Sequence, residues 1–307
     1  MTHRSAVLLM VLVAFLWSIA GIVTRQLESA GSFEVTFWRS AFTALSLGVA
    51  LSVLRGPGRL WRSVRQGGWM LWASAVCWCV MFTAFMLALT LTTVANVLLT
   101  MALGPLVSAL IARFALGHRL AARTWWAIAL AAVGIVWMQR EGLAAGTAGW
   151  GSAVAFVLPL AGALNWIVIR RAGAATAGGT AAPDLRPSVL LGALLSALLT
   201  LPAAWPLQAS THDLGWLALL GALQLALPCL LAVRVAAVLP SPEVALLALL
   251  EVVMGVLWVW LFAGERPSAS VLGGGALVLG ALALNEWLGL RGERAGRAAA
   301  QASGSAR

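Results

Sequence analysis

Glu251 demands an explanation, because it falls inside a long apolar run, about eight residues from the start of that run. At about 1.5 Å per helical residue that is about 12 Å deep, near the middle of a bilayer. An ionised carboxylate at that depth costs several kcal/mol unless it is paired or hydrated. It therefore serves either as a proton-coupling or cation-binding acid, or as a hydrogen-bonded tie between helices. Glu243, Leu247, Glu251 and Gly255 recur every four residues, as do Asn96, Thr100, Gly104 and Ser108. Residues four apart share one helix face. Small and polar residues on such a face suit a water-accessible cavity or close helix packing; the carboxylate in one stripe favours the cavity.

Other side chains could join such a site. Asn165 and Gln224 stand in mid-run, where neither amide can face lipid without cost. Of sixteen tryptophans, Trp61, Trp69, Trp125, Trp150, Trp216 and Trp287 fall near the ends of apolar runs, as interfacial belts require. Trp17, Trp72, Trp78, Trp166 and Trp258 lie deeper and could wall a cavity for an aromatic or cationic solute, although packing duty serves equally well for each. Arg39 could attract a substrate carboxylate, or snorkel and pair with Glu34 or Glu28, and the second is the stronger expectation. Arg113 and Arg234 stand near run ends, where snorkelling accounts for them.

No catalytic set emerges. His3, His118 and His212 sit at an end or between runs with no nucleophile grouped around them, and no phosphate-binding glycine motif of the dinucleotide or P-loop kind occurs. Gly273-Gly274-Gly275 lies inside an apolar run and reads as helix packing. Cys77, Cys79 and Cys229 form neither a metal-ligand set nor a disulfide framework and read as core residues. The sequence calls for no cofactor and no metal.

The elements that carry these residues follow from composition. Of 307 residues 62% are hydrophobic and 10% charged, where a soluble domain carries about 25% charged residues. Such a chain needs hydrocarbon as its solvent. The net charge of +10 consists of twenty arginines and no lysine, spread between apolar runs and not along one face, which fits a topological signal better than nucleic-acid binding. A spanning helix needs about 20 apolar residues, which predicts spans near 6–24, 33–54, 68–90, 93–115, 123–139, 150–169, 188–207, 214–237, 243–263 and 270–290. Pro105, Pro159, Pro202 and Pro228 predict kinks. The first run has the look of a signal peptide, but a similar segment recurs at Gly151–Arg171, so it is kept as the first span.

The halves repeat. A shift of 147 positions lays Gly68-Trp69 on Gly215-Trp216, Val97 on Val244, Leu99 on Leu246, Leu103 on Leu250, Gly117 on Gly264, Arg119 on Arg266 and Arg39 on Arg186. Five spans is an odd number, so the second half enters the membrane from the opposite side, an inverted repeat of the kind many secondary transporters use. The expected fold is all-α integral membrane, ten helices as two five-helix inverted repeats around a central cavity. Residues 1–139 form the first repeat, 140–149 a linker, 150–290 the second repeat and 291–307 a cytoplasmic disordered tail. Placing both termini in the cytoplasm puts fifteen arginines inside against three outside, a strong positive-inside bias. The four-arginine stretch at 55–65 and the tail could touch anionic lipid, although orientation alone explains both.

These residues resemble the drug/metabolite transporter superfamily, in particular its ten-helix members with two EamA-type domains. The marks are Phe37-Trp38-Arg39-Ser40, Gly117-His118-Arg119, Gly264-Glu265-Arg266-Pro267 and Leu250-Glu251-Val252. Two positions depart from the pattern: His118 replaces the usual Glu, and Val252 stands where Pro is usual, which makes a straighter ninth helix the expectation. The resemblance implies a central cavity between the halves and, often, export of amino acids, other metabolites or drugs.

The expected function is a secondary transporter, an exporter of small amphipathic metabolites such as hydrophobic or aromatic amino acids or drugs, working by alternating access in the cell (inner) membrane. Trp17, Trp78, Asn96, Thr100, Asn165, Trp166, Gln224, Glu251 and Trp258 are the candidate cavity residues, Glu251 the coupling acid and Arg39 the anion anchor. The expected partners are a small-molecule substrate and membrane lipid, with room for a homodimer and no role for nucleic acid. A sugar phosphate would want several buried cations, and only Arg39 is available. The rivals are a passive channel or facilitator and, more remotely, a membrane-embedded lipid-modifying enzyme.

Overall fold

Hydrocarbon offers the backbone no hydrogen-bond partner, so a crossing chain must bond to itself. The computed structural model describes residues 2–116, 120–144, 149–177, 184–236, 238–239 and 241–305, and its described elements are all helices. In chain order they are α1 (His3–Ser18), α2 (Ala20–Thr24), α3 (Ser32–Arg55), α4 (Pro57–Gln66), α5 (Gly68–Leu91), α6 (Val94–Met101) and α7 (Gly104–Leu116). Then follow α8 (Ala122–Ala144), α9 (Trp150–Ala177), α10 (Ser188–Ala204), α11 (Thr211–Leu219), a π-helical segment (Leu220–Ala226), α12 (Leu227–Ala236), α13 (Ser241–Phe262) and α14 (Ala269–Ser305).

Among the described residues, eight helical segments are long and apolar enough to cross a membrane: α1–α2, α3, α5, α6–α7, α9, α11–α12, α13 and α14. The apolar α10 is shorter, at 17 residues, and the 23-residue α8 stands outside that set. Several boundaries differ from expectation. The arginine-rich stretch after α3 is itself a helix, α4, entered at Pro57. The linker begins as helix, since α8 runs to Ala144. The tail after Leu290 continues α14 to Ser305, as its alanines and arginines permit. The Gly117-His118-Arg119 motif lies outside the described residues.

Three spans break within their length, each for a local reason. Between α1 and α2 the Ser18 hydroxyl donates to the Phe15 carbonyl at 2.7 Å, competing with the helical ladder. Pro105 has no N–H for the Met101 carbonyl; there α6 closes with Leu103 N donating to Thr100 O at 3.1 Å, and Pro105 falls in the first turn of α7. Pro228 likewise strands the Gln224 carbonyl, and Leu227 N bonds five residues back, to Ala222 O, in the π segment. Pro159 and Pro202 sit inside continuous helices. With Val252 in its middle, α13 runs unbroken.

Small residues set the tightest crossings. Helices α8 and α14 meet where Gly134 and Gly274 face each other: a Cβ on Gly134 would lie 2.6 Å from the Gly274 carbonyl oxygen, and one on Gly274 would strike that of Gly134. Gly275 packs on Leu99, and Gly221 brings the π segment against Arg39 O and Thr43 N of α3, each 2.8 Å from a built Cβ. The main core joins both ends of the sequence through Val94, Leu98, Leu99, Leu217, Val252 and Val278. Helix α9 packs on α5, α10 on α3 and α5, and α13 on α1. Towards the face away from the start of α1, here the far face, α6 packs on both α9 and α13; its continuation α7 packs on α9 and α8 instead. The 147-residue shift fails for one helix pair: Arg39 lies within α3, whereas Arg186 occupies the turn before α10.

The glycine crossing is testable. Gly274→Val should destabilise the protein by about 1–3 kcal/mol, the usual cost of overpacking. Gly280→Ala, at an exposed site of the same helix with nothing within 4 Å of a built Cβ, should be neutral or slightly stabilising. Thermal unfolding in detergent, compared with wild type, measures both.

Candidate functional site

Arg39 is the eighth residue of the 24-residue α3 and is 2% exposed. It does not pair with Glu34 or Glu28. Its Nη2 donates to Gln224 Oε1 at 3.1 Å, and its guanidinium carbon lies 5.9 and 5.4 Å from the ring centres of Phe82 and Phe85 on α5, within cation–π range. Its Nε and Nη1 are buried without an acceptor among the described residues, and a buried unsatisfied donor costs about 1–3 kcal/mol, more when charged. Gln224 belongs to the π segment, and its Nε2 donates to the Trp17 carbonyl at 3.1 Å, at the end of α1 where the first span breaks. The irregular parts of two spans therefore hold the partner of the buried cation.

Glu251 is the eleventh of the 22 residues of α13, the midpoint of the helix, and is buried. Cys229 follows the π segment on α12, which packs on α13. One turn along α13, Gly255 packs against Leu98 and Ser18, and Trp258 Nε1 donates to Ser18 Oγ at 3.0 Å. Trp78 leans on Phe82 with ring centres 5.4 Å apart. Gln224 meets Arg39 directly, Trp17 joins it through Gln224 and Trp78 through Phe82, while Glu251 and Trp258 lie along α13.

The remaining candidates lie elsewhere. Asn96 donates to Thr92 Oγ1 at 3.2 Å and to Ser152 Oγ at 2.8 Å, joining α6 to α9. Asn165 accepts from Ser74 Oγ at 2.7 Å, joining α9 to α5. The Thr100 hydroxyl is buried with no partner among the described residues. Trp166 is 44% exposed on a different face of α9 from the exposed stripe Val157, Leu160 and Leu164. A cleft of about 580 Å³ opens at the far rim between Phe33, Leu91, Trp150, Trp205 and Gln208, not beside Glu251.

Sequence reasoning missed Phe82, Phe85, Ser18 and Cys229, whose types are ordinary in apolar helices. It also missed three acids that lace the far face. Glu265 accepts Arg25 Nε at 3.0 Å and Val94 N at 2.7 Å, while Arg25 also donates to Leu89 O at 2.7 Å and Thr92 O at 3.0 Å. Glu34 accepts Gln208 N and Ala209 N, each at 2.8 Å. Asp213, fully buried, accepts Glu28 N, Ser29 N and Ala30 N at 2.9–3.0 Å and the Ser29 hydroxyl at 2.7 Å. At the opposite face His3 meets Glu243 at 3.0 Å and Arg55 meets Asp184 at 2.7 Å. The far face is thus tied across both halves by charge-assisted bonds.

Residues 4–140 match the EamA-like transporter family, a stretch running from α1 into α8. No curated protein matches. Among solved structures, one described as "Crystal structure of protein" shares 19% identity with this chain, covers 94% of it and 99% of its own length, and superposes with a TM-score of 0.60; that likeness is one of fold. The chain is a helical protein with several spans apolar enough to cross a membrane, and its first half is similar to the EamA-like transporter family.

The Asp213 clasp gives a prediction. Asp213→Ala removes one carboxylate and strands three amides, and at about 1.5–3 kcal/mol per charged hydrogen bond it should cost at least about 2 kcal/mol. Hydrogen exchange at Glu28–Ala30 should quicken while exchange in α9 stays unchanged.

Proposed function

Starting from the EamA domain of residues 4–140, we propose that the protein is a secondary transporter that exports small amphipathic metabolites, such as hydrophobic or aromatic amino acids, by alternating access. The observation that carries this reading is the buried Arg39–Gln224–Trp17 chain, built on the irregular parts of two spans, with the buried Glu251 at the midpoint of a third. Polar groups and broken helices at mid-membrane mark substrate and ion sites.

Ten crossings in two inverted five-helix repeats fit the packing. Helix α5 packs on α9 as α12 packs on α1, and α6 and α7 pack on α9 as α13 packs on α1. Exchanging the halves maps each contact onto the other, and α3–α10 and α8–α14 map onto themselves. Ser40 and Ser196 touch at 3.0 Å between α3 and α10, where a twofold axis would pass. The pair Asn96–Ser152 at one face answers to Glu243–His3 at the other. The arginine bias favours a cytoplasmic position for the face that carries the start of α1. Closure at the far face by Glu265, Glu34 and Asp213, with α7 directed away from α13, supports a cytoplasm-facing arrangement. Opening the other way requires the Arg25–Glu265 bond to break.

In this mechanism Glu251 carries the coupling proton. In proteoliposomes, L-phenylalanine flux should respond to an imposed pH gradient, and Glu251→Gln should retain exchange flux but lose that response. A wild-type flux that ignores the gradient would make the protein a facilitator, and flux no greater than in empty liposomes across a panel of amino acids and amphipathic drugs would remove the transport reading.

A further inference from the structure

Resting on that reading, we infer that Arg39 is the specificity determinant of the central site and that the substrate must carry a carboxylate. A guanidinium offers five N–H donors in a planar fork. Here one of the two Nη2 hydrogens goes to Gln224, and Nε and both Nη1 hydrogens have no acceptor among the described residues. The second Nη2 hydrogen lies alongside one of those groups, so a two-pronged edge remains, the geometry that binds a carboxylate with two parallel bonds. No carboxylate among the described residues lies within ion-pair distance of Arg39, and Glu34, one helical turn and a residue away, is committed to Gln208, Ala209 and Trp38.

The surroundings narrow the class. Arg39 is the one basic side chain that is buried among the described residues, so a monoanion is matched and a phosphate dianion is not. Phe82 and Phe85 flank the guanidinium, Trp78 adjoins Phe82, and the Trp17 carbonyl fixes Gln224. A carboxylate on Arg39 would leave its apolar tail among these rings. Gln224 is a positioning residue: it turns the fork and blocks one hydrogen without needing to touch the substrate.

The test compares matched pairs on the purified full chain in nanodiscs: phenylalanine with 2-phenylethylamine, tryptophan with tryptamine, leucine with isoamylamine, and 3-phenylpropionate with its amide. Binding is read by thermal shift against concentration. The carboxylate member of each pair that binds should do so about 10- to 100-fold more tightly, the ratio expected when charge-assisted bonds are lost. Arg39→Gln should erase the difference and Arg39→Lys should recover only part of it, since an ammonium lacks the fork. If Arg39→Gln does not fold, the wild-type ratios still decide. Equal or tighter binding of the amines and the amide overturns the inference, as does failure of every carboxylate to bind. In either case, flux of a solute without a carboxylate in proteoliposomes would leave the transport reading standing.

Discussion

A charged side chain inside hydrocarbon has to find its solvation within the protein, and much of this molecule follows from that constraint. Arg39 is held inside the protein, and the chain supplies an amide from the π segment and two aromatic faces from α5. That supply depends on irregular backbone. The π turn exists because Pro228 cannot return a hydrogen bond to Gln224, and the break after α1 leaves the Trp17 carbonyl able to receive Gln224 as well as Ile19 N. Polar chemistry at mid-depth and broken helices have the same cause.

The two faces solve their polar groups differently. At the far face each acid collects backbone amides from another segment: Asp213 gathers the α2–α3 loop, Glu34 the loop before α11, and Glu265 the start of α6. A carboxylate that accepts several N–H groups holds loops as firmly as buried apolar surface does. At the opposite face His3 pairs with Glu243, and Asp184 accepts Arg55, the Ser63 hydroxyl and one amide, that of Arg186, from its own loop. Apolar packing leans the same way, since the largest core lies among α6, the far half of α5 and their neighbours.

How legible was this in the sequence? Helices stand at every predicted span, because length and apolarity are local quantities, and the glycine triplet in α14 packs as read. Glu251 and Gln224 were visible as polar residues that hydrocarbon would not tolerate. Periodicity, however, gives the face of a residue and not what lies opposite. Asn96 and Asn165 had the same credentials as Gln224, yet both serve helix–helix bonds. Arg39 was expected to reach back along its own helix to Glu34, but that carboxylate is held by amides some 175 residues away. Pairings at that separation arise only once the helices are assembled. Phe82 and Phe85 carried no signal at all, because a phenylalanine beside a cation has the same sequence appearance as one beside lipid.

The contact between Gly134 and Gly274 has a mechanical consequence. The backbones of α8 and α14 touch there, and the contact runs on along both helices: Trp137 lies against Gly273, Met138 against Gly274, and Thr124 donates to Asn285 at 3.1 Å nearer the other end. A seam held at several levels resists rotation as well as separation. These two helices therefore move as one body, whatever the rest of the molecule does when it opens.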